Sequence, residues 1–425
     1  MTAGIFVISL LGAMALGMPI AFALMVCAVC LMLLGGQFDT TILSQKIIEG
    51  ADSFPLLAIP FFMLAGELMN AGGISKRIVN FALAWVGHIR GGLGIVAIVA
   101  AVIMAAISGS AAADAAALSA MLIPMMRNAG YNIPRSAGLI SAGGVIAPVL
   151  PPSIAMIVFG VIANVSIGKL FMAAIVPGLL MGVSLLIAWL IVARKDKVAV
   201  QPRVPMVQRF KVMLDSLLAL VMPLGIVGGM KLGVFTPTEA AVAAAVYAFV
   251  VGMFVYRELD WRQVYPILIS AAKTTAVVVF LIATALVSGW LITASDIPDQ
   301  VSAMLQPFID SPILLMFIMM MLVVVVGTAL DFAPTLLILT PVLMPIVKEA
   351  GIDPVYFGVL FVMNNAIGLI TPPVGIVLNV VCGSAKLTMN ELMKGIWPFM
   401  LAELIVLFLL VLFPSIVLVP LKWLV

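Results

Sequence analysis

Long apolar runs, separated by short polar or charged segments, occupy almost the whole chain. A helix of about 20 apolar residues crosses the hydrocarbon core of a bilayer, and the runs reach or approach that length. The pattern therefore predicts an all-helical chain that crosses the membrane many times. The runs cover residues 3–34, 54–72, 135–163, 168–193, 211–231, 237–256, 271–292, 355–382 and 396–420.

The first run, residues 3–34, is too long for one upright helix and too short for two. Gly17 and Pro19 interrupt it near its middle. Proline removes a backbone donor and bends a helix, so we expect either a bend at these residues or one steeply tilted helix. The pattern alone leaves both alternatives open.

Two further apolar segments, residues 92–128 and 312–349, are interrupted at their centres by small or polar residues. The interruptions are Ser-Gly-Ser at 108–110 and Gly-Thr-Ala-Leu-Asp at 327–331. We predict that each segment is a re-entrant hairpin of two half-helices; a full span followed by a surface helix is the alternative. Polar backbone at membrane depth is tolerated only where protein or an aqueous cavity covers it.

Helix-breaking residues occur twice along the chain, with a constant spacing of 221 positions. Matching sets of broken helices are typical of transporters built from repeats, and the binding sites of such transporters lie at the breaks. We therefore predict two repeats, each with a hairpin followed by a broken helix, at residues 135–163 and 355–382. The matching pairs are Pro124 and Pro345, Gly130 and Gly351, Pro151-Pro152 and Pro372-Pro373, and Pro177 and Pro398.

The composition agrees with a membrane protein, since 64% of residues are hydrophobic, 9% are charged and the mean hydropathy is +1.31. The sequence has one histidine, His88, no phosphate-binding GxxxxGK loop and no His/Cys metal cluster. These absences argue against an enzyme. A net charge of +3 gives no reason to expect a nucleic-acid partner. The energy for transport must then come from an ion gradient or from another subunit.

The charges of the loops predict the topology, because Lys and Arg favour the cytoplasmic side. Residues 194–211 carry six basic residues against one acidic residue, so we expect this loop in the cytoplasm. Counting spans outward from it puts the N-terminus inside and the C-terminus outside. Five predicted spans, an odd number, separate the two hairpins. The hairpins should therefore enter from opposite faces, which makes the repeats inverted.

Each repeat combines a hairpin tip, a helix break and polar residues beside them. A proline doublet removes two backbone donors and frees carbonyl oxygens one turn earlier. These carbonyls, with hydroxyls from a facing tip, form a cage of hard oxygen ligands that suits Na⁺, while the N-termini of half-helices suit an anionic substrate. The candidates are Ser108, Ser110, Asp114, residues 147–152 and Ser153 in the first repeat, and Gly327, Thr328, Asp331, Asn364, Asn365 and residues 368–373 in the second.

Asp114 and Asp331 are the most informative single residues, because carboxylates inside a membrane are costly and usually functional. Asp331 either faces an ion site or substrate hydroxyls, or caps the N-terminus of a half-helix. Asp114 lies four residues after Ser110 on the same helical face, and we expect it to cap the helix or to support a ligand from behind. The alternative for the serines is that they bond within their own helices while the prolines only kink the chain.

Several short motifs follow one another along the chain. They are residues 51–60 (Ala-Asp-Ser-Phe-Pro-Leu-Leu-Ala-Ile-Pro), 70–75 (Asn-Ala-Gly-Gly-Ile-Ser), 108–110 with Asp114, 129–131 (Ala-Gly-Tyr), 151–153 (Pro-Pro-Ser), 235–239 (Phe-Thr-Pro-Thr-Glu) and 368–375 (Gly-Leu-Ile-Thr-Pro-Pro-Val-Gly). Each motif is weak alone, but the set is specific. In these motifs the chain resembles, almost end to end, the large membrane subunit (DctM type) of tripartite ATP-independent periplasmic (TRAP) transporters.

The resemblance implies a Na⁺-coupled elevator transporter in a bacterial cytoplasmic (inner) membrane, in which a transport domain slides against a scaffold. The implied substrate is an organic acid anion, such as a C4-dicarboxylate, sialic acid, a sugar acid or a keto acid. The expected partners are a small four-helix membrane subunit (DctQ type), as a separate chain, and a periplasmic substrate-binding protein (DctP type). A stand-alone Na⁺/dicarboxylate symporter or antiporter on a related fold is the alternative.

The resemblance also implies roles for single residues. The first Na⁺ site corresponds to Ser108, Ser110, Ala147, Leu150 and Pro152, and the second to Gly327, Gly368, Thr371 and Val374. We expect Ser110, Ser153, Asp331, Asn364 and Asn365 near the substrate, with Asp114 behind them. The expected domains are a scaffold with an interfacial arm helix (1–90), transport repeat 1 (91–193), the cytoplasmic loop with scaffold spans and a second arm (194–310), and transport repeat 2 with the last span (311–425).

Cysteine labelling tests the inversion of the repeats. In a chain whose native cysteines are replaced by serine, Gly109→Cys and Ala329→Cys each place one thiol at a predicted hairpin tip. Because the hairpins are predicted to enter from opposite faces, an impermeant thiol reagent should reach the two positions from opposite sides of the membrane. Labelling of both positions from the same side in every state would show that the repeats are not inverted.

Overall fold

The computed structural model describes residues 2–36, 38–194, 202–295, 297–330 and 332–424. These residues form helices and connecting turns, with no strand among them, and seven helical stretches are long and apolar enough to cross a membrane. The α-helices are α1 (Thr2–Ala15), α2 (Ile20–Leu34), α3 (Thr40–Ala51), α4 (Ala58–Ala71), α5 (Ile74–Val86), α6 (Gly92–Ser108), α7 (Ala111–Asn128), α8 (Ile133–Gly144), α9 (Ile154–Ala163), α10 (Ile167–Ala193), α11 (Met206–Lys231), α12 (Pro237–Val250), α13 (Trp261–Ala294), α14 (Ile297–Leu305), α15 (Pro312–Ala329), α16 (Phe332–Glu349), α17 (Pro354–Gly368), α18 (Ile376–Ala385), α19 (Met389–Leu412) and α20 (Ser415–Leu424).

The first apolar run forms two short helices, α1 and α2, and not one tilted helix. Gly17 turns the chain between them with a φ of 80°. The helices pack antiparallel, since the Ser9 hydroxyl donates to the Cys27 sulfur at 3.2 Å across the turn. The prediction of a cytoplasmic N-terminus counted this run as one crossing of the membrane. Because the run forms two helices, that count no longer holds, and the side on which the N-terminus lies stays a prediction.

The two predicted re-entrant segments are helical hairpins, α6–α7 and α15–α16, which confirms the fold class. Gly109, with a φ of 62°, separates α6 from α7, and the limbs of each hairpin pack on one another. In the second hairpin, α15 ends at Ala329 and is followed by Leu330, whose backbone is extended. The following residue, Asp331, lies outside the described residues. The packing of the limbs favours a hairpin in both segments, and because α16 is itself long and apolar enough to cross a membrane, the alternative of a full span with a surface helix stays open.

The two predicted broken helices are also present. The first consists of α8 and α9, separated by residues 145–153, and the second of α17 and α18, separated by residues 369–375. Each gap contains a proline doublet, and the Pro151-Pro152 and Pro372-Pro373 peptide bonds are both cis. The backbone between the half-helices therefore lies outside any helical ladder, as the spacing of prolines predicted.

The two hairpins begin at opposite ends of α13. Just before its N-terminus, Glu258 binds Arg77 of α5 at 2.8 Å, and α5 leads into the base of α6–α7. Beyond its C-terminus, Ser302 of α14 donates to Glu349 at the base of α15–α16 at 2.9 Å. At a rise of 1.5 Å per residue, the 34 residues of α13 span about 50 Å. The hairpins are thus inverted with respect to α13, in agreement with the prediction from loop charges.

The last predicted span, residues 396–420, was drawn too far toward the C-terminus. The spanning helix is α19, which starts at Met389 and ends at Leu412, and α20 is a separate short helix after Pro414. Proline disfavours a helical conformation in the residue before it, which explains the end of α19. The division of the chain into scaffold and transport domains stays a prediction.

The α8 and α19 helices approach closely because glycines lie at their crossing. A Cβ on Gly138 would lie 2.8 Å from the Ile396 Cα, and one on Gly395 would overlap the Pro134 carbonyl oxygen. Small residues that let helix backbones approach are the usual means of packing helices in a membrane, where burial of apolar surface gives little driving force.

Alanine at Gly395 should separate these two helices. Overpacking of this kind typically costs 1–3 kcal/mol, so we expect Gly395→Ala to lower the melting temperature of the purified protein by several degrees. Gly225→Ala in α11 is the matched control, because nothing lies within 4 Å of a Cβ there. Equal melting temperatures for the two variants would show that the α8–α19 contact does not depend on glycine.

Candidate functional site

The tip of the first hairpin touches the break in the first broken helix. Gly109 adopts a left-handed conformation, and a Cβ on it would lie 2.9 Å from the Pro152 carbonyl oxygen and 3.6 Å from the Ser153 Cα. Glycine is therefore required here for two reasons, its φ of 62° and the lack of space. The predicted site residues of the first repeat thus come together in space.

Asp114 orients a serine of the tip. The Ser108 hydroxyl donates to Asp114 Oδ1 at 2.6 Å and accepts from the Ser110 backbone N–H at 3.2 Å. This leaves one lone pair of Ser108 Oγ for a cation. The N-cap of α7 is Ser110, whose hydroxyl accepts from the Ala113 N–H at 3.5 Å. Of the two roles expected for Asp114, the structure therefore favours support of Ser108 from behind and not capping.

The proline doublet removes backbone donors at the break. Ala147 and Leu150 are buried within it, and no backbone donor lies four residues after Ala147 because Pro151 lacks an N–H. Ser153 caps α9 by accepting from the Met156 N–H at 3.2 Å, and its hydroxyl donates to the Pro148 carbonyl. The single proton of this buried hydroxyl is thus engaged inside the protein, so the geometry favours a structural role for Ser153 over the predicted contact with substrate.

The second repeat repeats the contact between tip and break. A Cβ on Gly368 would lie 3.3 Å from the Gly327 carbonyl oxygen, so the end of α15 rests on the end of α17. A cavity of about 10 Å³ lies at this contact, a volume that holds one water molecule or one small ion. Its lining residues are Gly327, Leu330, Phe332, Asn365, Gly368, Leu369, Val374, Gly375 and Ile376.

The other predicted residues of this repeat lie either within the break or on α15. Thr371 and Val374 lie within the break: the Thr371 hydroxyl donates to the Ile367 carbonyl at 2.9 Å, and the Val374 carbonyl accepts from Asn379 at 2.9 Å. Thr328 donates back to the Val325 carbonyl of its own helix at 2.7 Å, as the alternative for hydroxyls in helices anticipated. Asp331 lies outside the described residues, so its role stays a prediction.

The two asparagines of α17 fix the second hairpin. The Asn364 amide donates to the Met320 carbonyl of α15 at 2.6 Å, and the Asn365 amide donates to the Phe332 carbonyl of α16 at 2.5 Å. Both amide oxygens are buried and have no hydrogen-bond partner among the described residues. Asn365 lines the small cavity, so its Oδ1 is available to a cation there. The geometry thus favours an ion site over the predicted substrate contact for Asn365.

Two larger cavities lie at opposite ends of α13. The first, of about 490 Å³, contacts Ala271 and Thr274 in the N-terminal half of α13 and reaches Ser108 and Ser110 at the first hairpin tip. The second, of about 440 Å³, contacts residues 285–293 in the C-terminal half and Pro341 of the second hairpin. Along α13 their centres are about 25 Å apart at 1.5 Å per residue.

The first cavity contains polar residues that were not predicted as site residues. Glu67, Asn70 and Ser75 lie in its wall opposite Ser110, together with Lys76. Residues 70–75 were recognised as a motif, but nothing in their pattern indicates that the turn between α4 and α5 faces a hairpin tip. The Ser75 hydroxyl donates to Asn70 Oδ1 at 2.5 Å across this turn. A basic side chain beside a polar turn was the one available signal.

The family model for the tripartite ATP-independent periplasmic transporter, DctM component, matches residues 7–416. The chain belongs to this family. The DctM chain is 51% identical over 419 residues to the 2,3-diketo-L-gulonate TRAP transporter large permease protein YiaN of Escherichia coli (strain K12), and the match covers 99% of both proteins. It is 37% identical over 405 residues to the sialic acid TRAP transporter large permease protein SiaM of Vibrio cholerae, covering 95% of each.

A third relative is the C4-dicarboxylate TRAP transporter large permease protein DctM of Pseudomonas aeruginosa, 35% identical over 382 residues and 90% of each chain. Because these relatives are named as permeases, they agree with the expectation that the chain is not an enzyme. The structure is similar to the crystal structure of the Alcanivorax borkumensis YdaH transporter, with a TM-score of 0.63 over 87% of this chain and 86% of that one. At 15% identity this likeness concerns the fold alone. The DctM chain is thus a multi-pass membrane permease.

Substitution of Gly109 should disrupt the contact between tip and break. Gly109→Ala places a Cβ against the Pro152 carbonyl, so we expect uptake to fall at least tenfold while the protein is still inserted in the membrane. Gly130→Ala is the matched control, because Gly130 also has a positive φ, 79°, but has nothing within 4 Å of a Cβ. Equal losses in the two variants would trace the defect to backbone strain and not to the contact.

Proposed function

We propose that this DctM chain is the large membrane subunit of a Na⁺-driven importer that takes up an organic acid anion by an elevator mechanism. The observation that carries the proposal is the pair of tip–break contacts at Gly109 and Pro152 and at Gly327 and Gly368. Each contact gathers backbone carbonyls and side-chain oxygens at a helix end. Hard oxygen ligands of this kind suit a small monovalent or divalent cation.

The residues present fit Na⁺ at both contacts. The second has an ion-sized cavity with the unpartnered Asn365 Oδ1 in its wall, near the carbonyl of Gly327. In the first, Asp114 holds Ser108 so that its remaining lone pair is free, and Ala147 contributes a carbonyl at the break. The C-terminal ends of α8 and α17 add partial negative charge to each site.

The 490 Å³ cavity supports an organic anion as the substrate. Its volume lies within the usual range for small-molecule sites, and its wall offers the Ser110 hydroxyl, whose proton is not used by the Ala113 contact, together with Lys76. The relative with 51% identity is named for 2,3-diketo-L-gulonate. We therefore place sugar acids and keto acids before C4-dicarboxylates and sialic acid among the substrates of this chain.

The two cavities along α13 support the proposed elevator mechanism. In the proposed cycle, the hairpins and broken helices move together along α13, so that the substrate site opens first toward one cavity and then toward the other. Inverted repeats are the usual basis of such alternating access. We propose the bacterial inner membrane as the location, with the C-terminus in the periplasm.

Two longer relatives support a small membrane subunit as a partner. This chain matches 66% of the sialic acid TRAP transporter permease protein SiaT of Haemophilus influenzae and 63% of the isethionate TRAP transporter permease protein DctMQ of Oleidesulfovibrio alaskensis. The remaining third of each has room for a four-helix subunit. A periplasmic substrate-binding protein completes the proposed assembly and delivers the anion.

Uptake into proteoliposomes tests the proposal. The chain is reconstituted with its small subunit and binding protein and assayed with radiolabelled sugar and keto acids, and we expect uptake only with an inward Na⁺ gradient and the binding protein. Removal of the Asn365 amide oxygen in Asn365→Ala should raise the half-saturating Na⁺ concentration by about tenfold, since 1.4 kcal/mol corresponds to a factor of ten. Asn80→Ala, at an exposed residue of α5, is the control.

Three results would contradict this function. Uptake that persists without the binding protein would favour a stand-alone symporter. Uptake that is equal in Na⁺ and K⁺ media would remove sodium as the driving ion. An unchanged Na⁺ dependence in Asn365→Ala would exclude Asn365 from the second ion site.

A further inference from the structure

Glu403 of α19 is a buried acid to which no role has so far been assigned. Its side chain is completely inaccessible, and neither carboxylate oxygen has a hydrogen-bond partner among the described residues. An ionised carboxylate in such a position costs several kcal/mol unless an opposite charge compensates it. Packing alone therefore does not explain a glutamate at this position.

No basic side chain of the described core compensates this acid. The charged residues that are buried there are Asp114, Arg209 and Glu403. Arg209 lies on α11 at the start of the helix, where it donates to the Val204 carbonyl at 3.0 Å and contacts His88 at 3.4 Å. The hairpins, the broken helices and α19 thus contain two buried acids and, among the described residues, no buried base.

The packing of α19 against α8 places Glu403 level with the first helix break. Both helices start from the same end of the molecule, since Arg127, just before α8, donates to the Ala385 carbonyl, just before α19, at 2.7 Å. The helices cross where Gly138 meets Gly395 and Ile396. Seven residues beyond Ile396, Glu403 lies on the same face of α19, at the height where α8 ends.

The packing of α19 against α17 places Glu403 level with the second break as well. Thr371 contacts Met400 at 3.8 Å, and the Tyr356 hydroxyl donates to the Leu410 carbonyl at 2.9 Å, so the two helices run antiparallel. Glu403 lies one turn from Met400 toward Leu410, close to the height at which α17 ends at Gly368. The carboxylate is therefore located between the ends of two half-helices.

The unpartnered groups of this region share one property. The oxygens of Glu403, Asp114 Oδ2, Asn364 Oδ1 and Asn365 Oδ1 are all buried, and none has a hydrogen-bond partner among the described residues. Each of them is an acceptor when the carboxyl groups are ionised. The ends of α8 and α17 add further negative potential. The missing element is positive charge.

We propose that Glu403 supplies the negative charge that cations at the two helix breaks neutralise, and that this charge raises the Na⁺ affinity of both sites. This inference rests on the proposed function and deepens it. Glu403 acts through the electrostatic potential at both sites and is a positioning residue, because the ligand oxygens come from the tips and breaks.

Thermal stabilisation by Na⁺ tests this role without any transport assay. The melting temperature of the full-length purified chain is measured against NaCl at constant ionic strength, with choline chloride as the balance. For Glu403→Gln we expect the half-saturating Na⁺ concentration to rise at least tenfold, because both sites lose the attraction of the carboxylate. Without Na⁺ this variant should be as stable as the wild type or more stable, because it lacks a buried unpartnered carboxyl.

Two further variants separate charge from packing. Glu403→Asp keeps the charge in a shorter side chain, and we expect its Na⁺ response to stay within about threefold of the wild type. Asp310→Asn is the matched control, because Asp310 is an exposed acid that lines neither large cavity nor the small cavity of the second repeat. Its Na⁺ response should be unchanged, which excludes a general effect of removing one negative charge.

The outcomes distinguish this inference from the proposed function. If Na⁺ does not stabilise the wild type, the sodium coupling fails and the role of Glu403 fails with it. If the wild type responds to Na⁺ and Glu403→Gln responds with the same half-saturating Na⁺ concentration, sodium coupling stands and the role of Glu403 is wrong. A loss of stability in Glu403→Gln without Na⁺, at unchanged Na⁺ affinity, would likewise assign Glu403 a purely structural role.

Discussion

A backbone polar group inside a membrane must be covered by protein or by an aqueous cavity, and this constraint governs the architecture. The chain interrupts four helical segments near their middle, and each interruption frees carbonyl and amide groups. The structure places the interruptions in pairs, with Gly109 against Pro152 and Gly327 against Gly368. Each tip thus covers the break in the next helix. The same groups that need covering are the oxygen ligands of the candidate ion sites, so stability and function depend on the same contacts.

The two repeats share this geometry but differ in chemistry. In the first, a carboxylate stands behind the tip, where Asp114 accepts from Ser108, and a hydroxyl closes the break, where Ser153 donates to Pro148. In the second, an amide connects the broken helix to the hairpin, since the Asn365 side chain donates to the Phe332 carbonyl. An amide that donates to a carbonyl keeps its own oxygen free. The second site therefore gains a neutral ligand, whereas the first gains a charge, and we expect the two sites to bind a cation with different affinities.

The fold was predictable where Gly and Pro mark it. Helix-breaking residues at a constant spacing predicted both hairpins and both broken helices. This was possible because the loss of a backbone donor at proline, or of a Cβ at glycine, acts locally and can be seen in the sequence. The run at residues 3–34 was left open, because whether two short helices pack on each other depends on their neighbours. The extent of α19 was misjudged, because apolar residues continue past Pro414 into a separate helix. Hydropathy does not distinguish a span from an adjoining short helix.

The candidate site was predictable as a set of positions but not as a set of roles. Ser153 and Asn364 are polar residues next to breaks. The sequence could not show that Ser153 donates to the Pro148 carbonyl and Asn364 to the Met320 carbonyl. Tertiary packing decides which oxygen stays free. The same packing leaves the acceptor oxygens of Asn364, Asn365 and Glu403 without partners among the described residues, and the two buried acids have no buried base beside them there. In the proposed function, cations from solution balance these acids, so that the gradient proposed to drive transport also completes the site that holds the cations.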